Sequence, residues 1–153
     1  MMATTTLLEE AIEAYEASPF AALSRDCFSR YWFDPDVEPG INQIAIDGQW
    51  TIVCRADGRG VCRLMAEHLR DFLARCMNVS LKIVVASHLG KTERVIMLDE
   101  HGGGASQSFS IEVLPERVVV AGAGTAALRD GVVMLVDRIG MRRAPILSIG
   151  QSS

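Results

Sequence analysis

Residues 109–139 constrain the fold of this 153-residue chain more strongly than any other stretch. From Phe109 to Val113 apolar and polar residues alternate, which is typical of a β-strand with one buried face. Pro115 suits a tight turn, and the valines at 118–120 predict a second, buried strand directly after it. The two strands are therefore expected to pair in an antiparallel arrangement.

An amphipathic helix is predicted to follow these strands after Gly124. Its charged residues lie opposite an apolar stripe, and Gly131 lies where a close approach of the helix to the sheet would leave no room for a side chain. The stripe consists of Leu128, Val132, Leu135, Val136 and Ile139. This helix is expected to lie on the sheet.

Two shorter alternating stretches precede this unit. Ile44 and Ile46 alternate with polar neighbours before Asp47-Gly48, and Trp50, Ile52 and Cys54 alternate again after it. Asp-Gly between two alternating stretches is typical of a β-hairpin. The sequence therefore predicts a hairpin around this dipeptide.

A second sheet-packing helix is predicted over residues 61–77, and two further strands over residues 81–86 and 94–98. The apolar stripe of the helix consists of Met65, Leu69, Phe72, Leu73 and Cys76. Charged residues occupy its other face. Two helices are therefore expected to cover one face of the sheet.

Two helices are also predicted at the N-terminus. Thr6 and Glu9 have the spacing of a capping box, and Pro19 suits the first turn of the second helix. The loop over residues 33–40 is the best candidate linker. The predicted organisation is an N-terminal helical extension over 1–40, followed by a single compact α+β domain over 41–153.

These elements predict the α+β class, with a mixed, largely antiparallel sheet, two helices packed on one face and an N-terminal helical pair. A sheet with helices on one face leaves the other apolar face to be covered. The N-terminal helices could provide this cover. Otherwise we expect self-association or a partner domain, because large apolar patches rarely stay exposed.

Composition and charge argue against several classes of protein. Hydrophobic residues make up 49% of the chain, and no apolar run reaches the roughly 20 residues of a membrane span. Nucleic acid is an unexpected partner, because the net charge is −4 and Lys82 and Lys91 are the only lysines. The N-terminus lacks the basic region of a secretory signal. We therefore expect a cytoplasmic protein.

The cysteines and histidines do not predict a metal site. No CxxC pair occurs, and the two closest cysteines are eight positions apart, which fits no common zinc spacing. His68 and His88 have no ligand partner at helical spacing. The four cysteines are Cys27, Cys54, Cys62 and Cys76. They are expected to be reduced and mostly buried.

The residues from Gly122 to Ala127, called the glycine corner below, have two interpretations. Two glycines between a valine strand and a helix are close to the dinucleotide fingerprint. However, Ala127 replaces the third glycine, and only 26 residues follow it, which leaves little room for a second strand with a ribose-binding acid. A packing corner is therefore the favoured interpretation, and no cofactor is expected.

Two further motifs have a chemical interpretation. The sequence from His101 to Gly104 matches the oxyanion-hole motif of many esterases, but the chain has no G-x-S-x-G elbow, so a flexible loop is expected. Asp99 and Glu100 could form an acid pair for sugar hydrolysis. Adjacent residues on a strand point to opposite faces, so this pair is not expected to be catalytic. No catalytic residue is predicted.

Several segments together resemble a known domain. A strand that begins at Trp50 is followed by a helix that contains Ala66-Glu-His-Leu69 and then by Asn78-Val79. Two strands at residues 109–113 and 118–122 precede the last helix. This order resembles the small N-terminal domain of family 67 α-glucuronidases and family 20 β-hexosaminidases. There an A-x-x-L helix and a Gly-Val step occupy the corresponding positions.

The resemblance implies a non-catalytic accessory domain, because in those enzymes the reaction belongs to a following (β/α)8 barrel of about 200–300 residues. The implied partner is that catalytic barrel, in cis or in trans. The chain would be a piece of a longer carbohydrate-active enzyme or a free-standing relative. Two alternatives stay open: a stand-alone carbohydrate- or ligand-binding module, and a small enzyme or nucleotide binder that uses the glycine corner or the His101 loop.

Overall fold

The computed structural model describes residues 9, 10, 13, 31–55, 60–86, 93–101 and 108–152. The chain divides into two units, residues 1–30 and 31–153. In the first unit the three described residues are helical and exposed, and the two predicted N-terminal helices otherwise lie outside the described residues. In the second unit, residues 31–40 contain neither helix nor strand, as the sequence predicts for the loop at 33–40.

The described part of the second unit contains eight strands and two helices. The helices are α1 (Gly60–Cys76) and α2 (Thr125–Arg142). The strands are β1 (Gln43–Ala45), β2 (Thr51–Arg55), β3 (Lys82–Ala86), β4 (Val95–Glu100), β5 (Phe109–Leu114), β6 (Arg117–Gly122), β7 (Ile146–Ser148) and β8 (Gly150–Ser152). The sequence predicts both helices and the first six strands, whereas β7 and β8 are additional.

Six strands form one mixed sheet in the order β3-β2-β4-β6-β5-β8. The first four run parallel, and β5 runs antiparallel to both β6 and β8. The mixed α+β class and the antiparallel pairing of β5 with β6 are confirmed. The sheet contains more parallel strand pairs than the largely antiparallel sheet that the sequence predicts. The reason is that α1 crosses from β2 to a parallel β3, and that β4 and β6 then join on the other side of β2.

The predicted hairpin around Asp47-Gly48 is wrong, although the turn is present. The Asp47 carboxylate accepts a hydrogen bond from the backbone N–H of Gln49 at 2.9 Å, and its carbonyl accepts one from Trp50 at 3.1 Å. However, β1 pairs with β7 in a separate two-stranded sheet, in which Ile44 lies opposite Leu147. The physical reason is that β3 and β4 occupy both edges of β2.

Both helices lie on the same face of the six-stranded sheet, as predicted. Cys54, Leu98 and Val120 form one row across β2, β4 and β6. At one end of the row the Cys54 thiol contacts the carbonyl oxygen of Cys62 in α1 at 3.6 Å. At the other end, a Cβ on Gly131 of α2 would lie only 2.8 Å from a methyl carbon of Val120.

The apolar stripes of both helices form the core with this row. All five predicted stripe residues of α2 are buried. In α1 four of the five predicted residues are buried, and Met65 is half-buried. Additional buried residues of α1 are Cys62 and Ala66. The helical periodicity in the sequence thus identifies the faces that pack on the sheet.

Asn78 explains how α1 ends. It has a φ of 55°, and the backbone N–H of the following Val79 donates to the carbonyl oxygen of Leu73 at 3.0 Å. This hydrogen bond across a left-handed residue is the common way in which helices end. Asparagine tolerates this conformation better than most residues with a side chain. It can therefore occupy the position that glycine has in the Gly-Val step of the domain that the sequence resembles.

Tyr31 connects the first described residues of this unit to both helices. Its ring meets Phe72 of α1 edge to face, with 5.4 Å between the ring centroids. The same ring fills the space next to Gly140 of α2, and the Tyr31 hydroxyl donates a hydrogen bond to Asp137. Tyr31 therefore fixes the start of the unit at the junction of α1 and α2.

Candidate functional site

The four parallel strands end at one edge of the six-stranded sheet, which we call the carboxyl edge. β2 ends at Arg55, β3 at Ala86, β4 at Glu100 and β6 at Gly122. The helices α1 and α2 follow β2 and β6, so both helix N-termini also lie at this edge. Ligands of open parallel sheets bind outside the carboxyl ends of the strands. The fold thus brings the acid pair, His101 and the glycine corner together where a site would be expected.

Asp99 and Glu100 point to opposite faces of the sheet. On the face away from the helices, both carboxylate oxygens of Asp99 lie 3.2 Å from Arg55 Nη1. On the helix face, the Thr125 hydroxyl donates to Glu100 Oε1 at 2.9 Å. The two carboxylates do not share a pocket, so they cannot act as acid and base on one glycosidic bond.

The glycine corner is filled by the backbone of the chain itself. A Cβ on Gly122 would collide with the backbone of Leu128, so the end of β6 rests directly on the first turn of α2. Gly124 has a φ of 113°, a conformation that residues with a side chain rarely adopt. Both glycines are therefore required by the tight strand-to-helix turn itself, without a ligand.

Glu100 provides a negative charge at the N-terminus of α2. The N-cap residue, Gly124, makes no side-chain hydrogen bond to the helix, whereas Glu100 bonds Thr125 in the first turn. Glu100 Oε2 is buried and has no hydrogen-bond partner among the described residues. A carboxylate here stabilises the positive end of the helix dipole and would repel a phosphate group. This charge favours the packing interpretation of the glycine corner.

The histidines do not converge on a site in the described part of the chain. His101 is exposed, and its backbone N–H donates to the carbonyl oxygen of Gly122 at 3.0 Å. His68 is half-buried in the middle of α1, where burial lowers its pKa. Glycines 102–104 of the predicted oxyanion motif lie outside the described residues, and so does His88.

The described residues contain neither a cluster of metal ligands nor a helix that could span a membrane. No group of three or more histidine, cysteine or acidic side chains comes together there as potential metal ligands. Within the same residues, none of the helices combines the length and the hydropathy of a membrane span.

Two buried thiols meet where β2 ends and α1 begins. Cys54 is 2% exposed and Cys62 is 1% exposed. The Cys54 thiol donates to the carbonyl oxygen of Cys62, and the Cys62 thiol donates to the carbonyl oxygen of Leu98 at 3.5 Å. The interaction between the two side chains lowers the pKa of Cys54 and raises that of Cys62, which burial raises further. The two cysteines therefore differ from independent buried hydrophobes.

A cleft of about 510 Å³ lies near the C-terminal end of α2. Arg138 donates to the Ser152 hydroxyl at 2.7 Å, and Arg142 donates to the Ser148 hydroxyl at 3.3 Å. The apolar lining consists of Val113, Met141, Ile146 and Leu147. Cations near a helix C-terminus are stabilised by the helix dipole, so the two arginines have a structural explanation.

Comparisons with known proteins identify the fold. No family model matches this sequence, and no curated protein matches it either. Among solved structures, the GH20 β-N-acetylhexosaminidase from Streptomyces coelicolor A3(2) matches over 81% of this chain, with a TM-score of 0.56 and 23% identity. A Streptomyces plicatus β-hexosaminidase in complex with GlcNAc matches over 81% of the chain, with a TM-score of 0.54 and 21% identity.

The chain spans only about a quarter of these enzymes, 26% of each hexosaminidase chain. Their likeness to this chain, at 23% and 21% identity, shows the fold alone. At this level the resemblance seen in the sequence is confirmed, because most of this chain has the fold of a part of a GH20 hexosaminidase.

Two features of the structure were not predicted from the sequence. The proximity of Cys54 and Cys62 depends on the βα unit, in which the end of a strand meets the start of the next helix. The alternation of apolar and polar residues at 50–54, together with a helix start near residue 61, would have been sufficient to predict that the two cysteines lie close together. The cleft beside Arg138 and Arg142 depends on β7 and β8, which have three residues each and are too short to be recognised from periodicity.

Proposed function

We propose that this chain is a non-catalytic accessory or interaction domain that serves a glycoside hydrolase catalytic domain, in cis or in trans. The main support is that its fold matches about a quarter of GH20 hexosaminidase chains. A (β/α)8 catalytic barrel needs about 200–300 residues and has a different architecture from a six-stranded mixed sheet.

The arrangement of the two acids at the carboxyl edge supports a non-catalytic role. Asp99 is held by Arg55, and Glu100 is held by Thr125 at the start of α2. General acid and base catalysis needs groups that converge on one substrate atom. Here the two acids are separated by the sheet, and each has a structural partner.

The edge strand β3 is the part of the domain best suited to contact another protein. It forms one end of the six-stranded sheet. Val84 and Val85 on this strand are 44% and 50% exposed. An edge strand with exposed apolar side chains provides both unpaired backbone groups and apolar surface for a partner. We assign the interaction surface to β3.

The non-catalytic role is tested with the full chain in three assays. We expect no hydrolysis of nitrophenyl N-acetyl-β-glucosaminide and no heat on titration with chito-oligosaccharides or NAD. Hydrolysis that is lost in Glu100→Gln or Asp99→Asn would contradict the proposal. Heat with the oligosaccharides would favour the stand-alone carbohydrate-binding module, and heat with NAD would favour the nucleotide binder.

The arrangement in cis is tested by intact mass spectrometry of the protein from its natural source. A mass that exceeds this chain by about 200–300 residues, the size of a catalytic barrel, is expected for an arrangement in cis. A natural protein of this chain's mass would rule out the arrangement in cis and leave the arrangement in trans.

The role of β3 in association is tested by light scattering. We expect Val84→Lys/Val85→Lys to abolish self-association or binding to a catalytic domain, because two charges would be buried in the contact. Leu64→Lys/Met141→Lys is the matched control, since these side chains are 59% and 84% exposed and lie outside β3. An equal effect of both double variants would contradict the assignment.

A further inference from the structure

The βα unit brings the side chain of Cys54 against the backbone of Cys62. Cys54 is the fourth residue of β2, and Cys62 is the third residue of α1. The Cys54 sulfur lies 3.6 Å from the backbone carbonyl oxygen of Cys62, and the Cys62 thiol is anchored to Leu98 in the adjacent strand β4. Both side chains therefore point into the same small space between α1 and the sheet.

We propose that Cys54 and Cys62 are a reversible oxidation site, at which a hydroperoxide converts the two thiols into an intramolecular disulfide. This inference does not depend on the proposed accessory function. A disulfide requires Cα atoms about 4.4–6.8 Å apart and Cβ atoms that face each other. The contact of the Cys54 sulfur with the backbone of Cys62, at 3.6 Å, places the two side chains next to each other.

The reaction balances with hydrogen peroxide as the oxidant. The Cys54 sulfur attacks one peroxide oxygen, the O–O bond breaks, and the products are a sulfenic acid on Cys54 and one water molecule. The Cys62 sulfur then attacks the Cys54 sulfur, and the S–O bond breaks as a second water leaves with the Cys62 proton. Two thiols lose two electrons in total, and one peroxide is reduced to two waters.

The environment assigns different roles to the two thiols. The neighbouring Cys62 side chain lowers the pKa of Cys54, so Cys54 is the thiol that more readily forms the attacking thiolate. The neighbouring Cys54 side chain and burial raise the pKa of Cys62, which keeps its proton until the second step. Because both residues are almost fully buried, a small oxidant such as peroxide is expected to react faster than a bulky disulfide.

Cys76 is a matched control within the same helix. It is 7% exposed, so it is also a buried thiol. It lies fourteen residues beyond Cys62 in α1, which corresponds to about 21 Å along a helix axis. This distance excludes a disulfide between Cys62 and Cys76. The effect of burial on oxidation can therefore be tested separately from the effect of a nearby second thiol.

The test treats the full chain with hydrogen peroxide, unfolds it, alkylates the remaining thiols and maps the tryptic peptides. Cleavage after Arg55, Arg59 and Arg63 separates Cys54 in peptide 31–55 from Cys62 in peptide 60–63. We expect the number of alkylated thiols to fall from four to two, with these two peptides joined. Dithiothreitol should restore all four thiols.

Two variants complete the experiment. Cys62→Ser should abolish the joined peptide, whereas Cys76→Ser should leave it unchanged. The proposal is overturned if all four thiols remain after oxidation, if the linked peptides contain Cys27 or Cys76, or if Cys54 and Cys62 are joined only between two molecules. Because the main measurement uses the natural sequence, it does not depend on the folding of either variant.

Discussion

The two helices cover the same face of the sheet in different ways. α1 reaches it with large side chains, among which Leu69, Phe72 and Leu73 are fully buried. α2 reaches it through the lack of a side chain at Gly131, which brings its backbone close to Val120. The packing of α1 therefore depends on large side chains that fill the space between helix and sheet. The packing of α2 depends on the short distance between its backbone and the sheet. Opposite kinds of substitution should disturb them.

Phe72→Ala in α1 is expected to have the largest effect. It removes a fully buried ring that packs against Tyr31, and such truncations lower the free energy of unfolding by about 3–5 kcal/mol. Urea denaturation followed by circular dichroism measures this loss. Leu64→Ala in the same helix is the control, because Leu64 is 59% exposed. Equal losses for both variants would show that the α1 stripe is not the packing face.

Gly131→Val in α2 is expected to lower the free energy of unfolding by about 1–3 kcal/mol, because overpacking a filled interface forces shifts of side chains and backbone. The first added atom would already lie 2.8 Å from Val120 and 3.3 Å from Phe109. Met134→Val on the exposed side of α2 is the matched control for helix propensity. Unchanged stability of Gly131→Val in the same urea titration would refute the close approach of α2.

Glu100→Gln tests the N-terminus of α2 with a smaller effect. Loss of the negative charge near Thr125 should lower the free energy of unfolding by about 0.3–1 kcal/mol at low ionic strength, the usual range for a charge at a helix end. The difference should shrink in high salt, because salt screens this interaction. A difference that is independent of salt would indicate a loss of packing instead.

His68→Gln tests the half-buried side of α1 and should have the smallest effect. Burial lowers the pKa of His68 below its ordinary value of 6.5, so the unfolded chain binds a proton at this residue more readily than the folded chain. The contribution of His68 to the free energy of unfolding is complete above pH 6.5 and is lost as the pH falls through the lowered pKa. Thermal denaturation as a function of pH should show a weaker decrease in acid for the variant than for the natural sequence.

Local periodicity in the sequence is sufficient to predict how both helices pack. It identifies their apolar stripes and the special position of Gly131. Pairing between strands is not contained in local alternation, because Ile44 and Ile46 have the same pattern whether they pair with β2 or with β7. The actual partner depends on strand order, because β3 and β4 occupy both edges of β2 and leave β1 to pair with β7.

The candidate site was predictable to a similar degree. Alternation along a strand predicts that Asp99 and Glu100 diverge, and the structure places them on opposite faces of β4. The hydrogen bond between Glu100 and Thr125 at the start of α2 could not be predicted, because Thr125 lies 25 residues further along the chain. Contacts between residues this distant in sequence depend on strand order.

The common end point of the parallel strands has an evolutionary consequence. The connections that leave β2, β3 and β4 all start at one side of the sheet, while strand register and helix packing are set by residues within the elements. Insertions in these connections can therefore lengthen or diversify the surface without changing the core. The carboxyl edge can therefore acquire new binding specificity, whereas the core tolerates few substitutions.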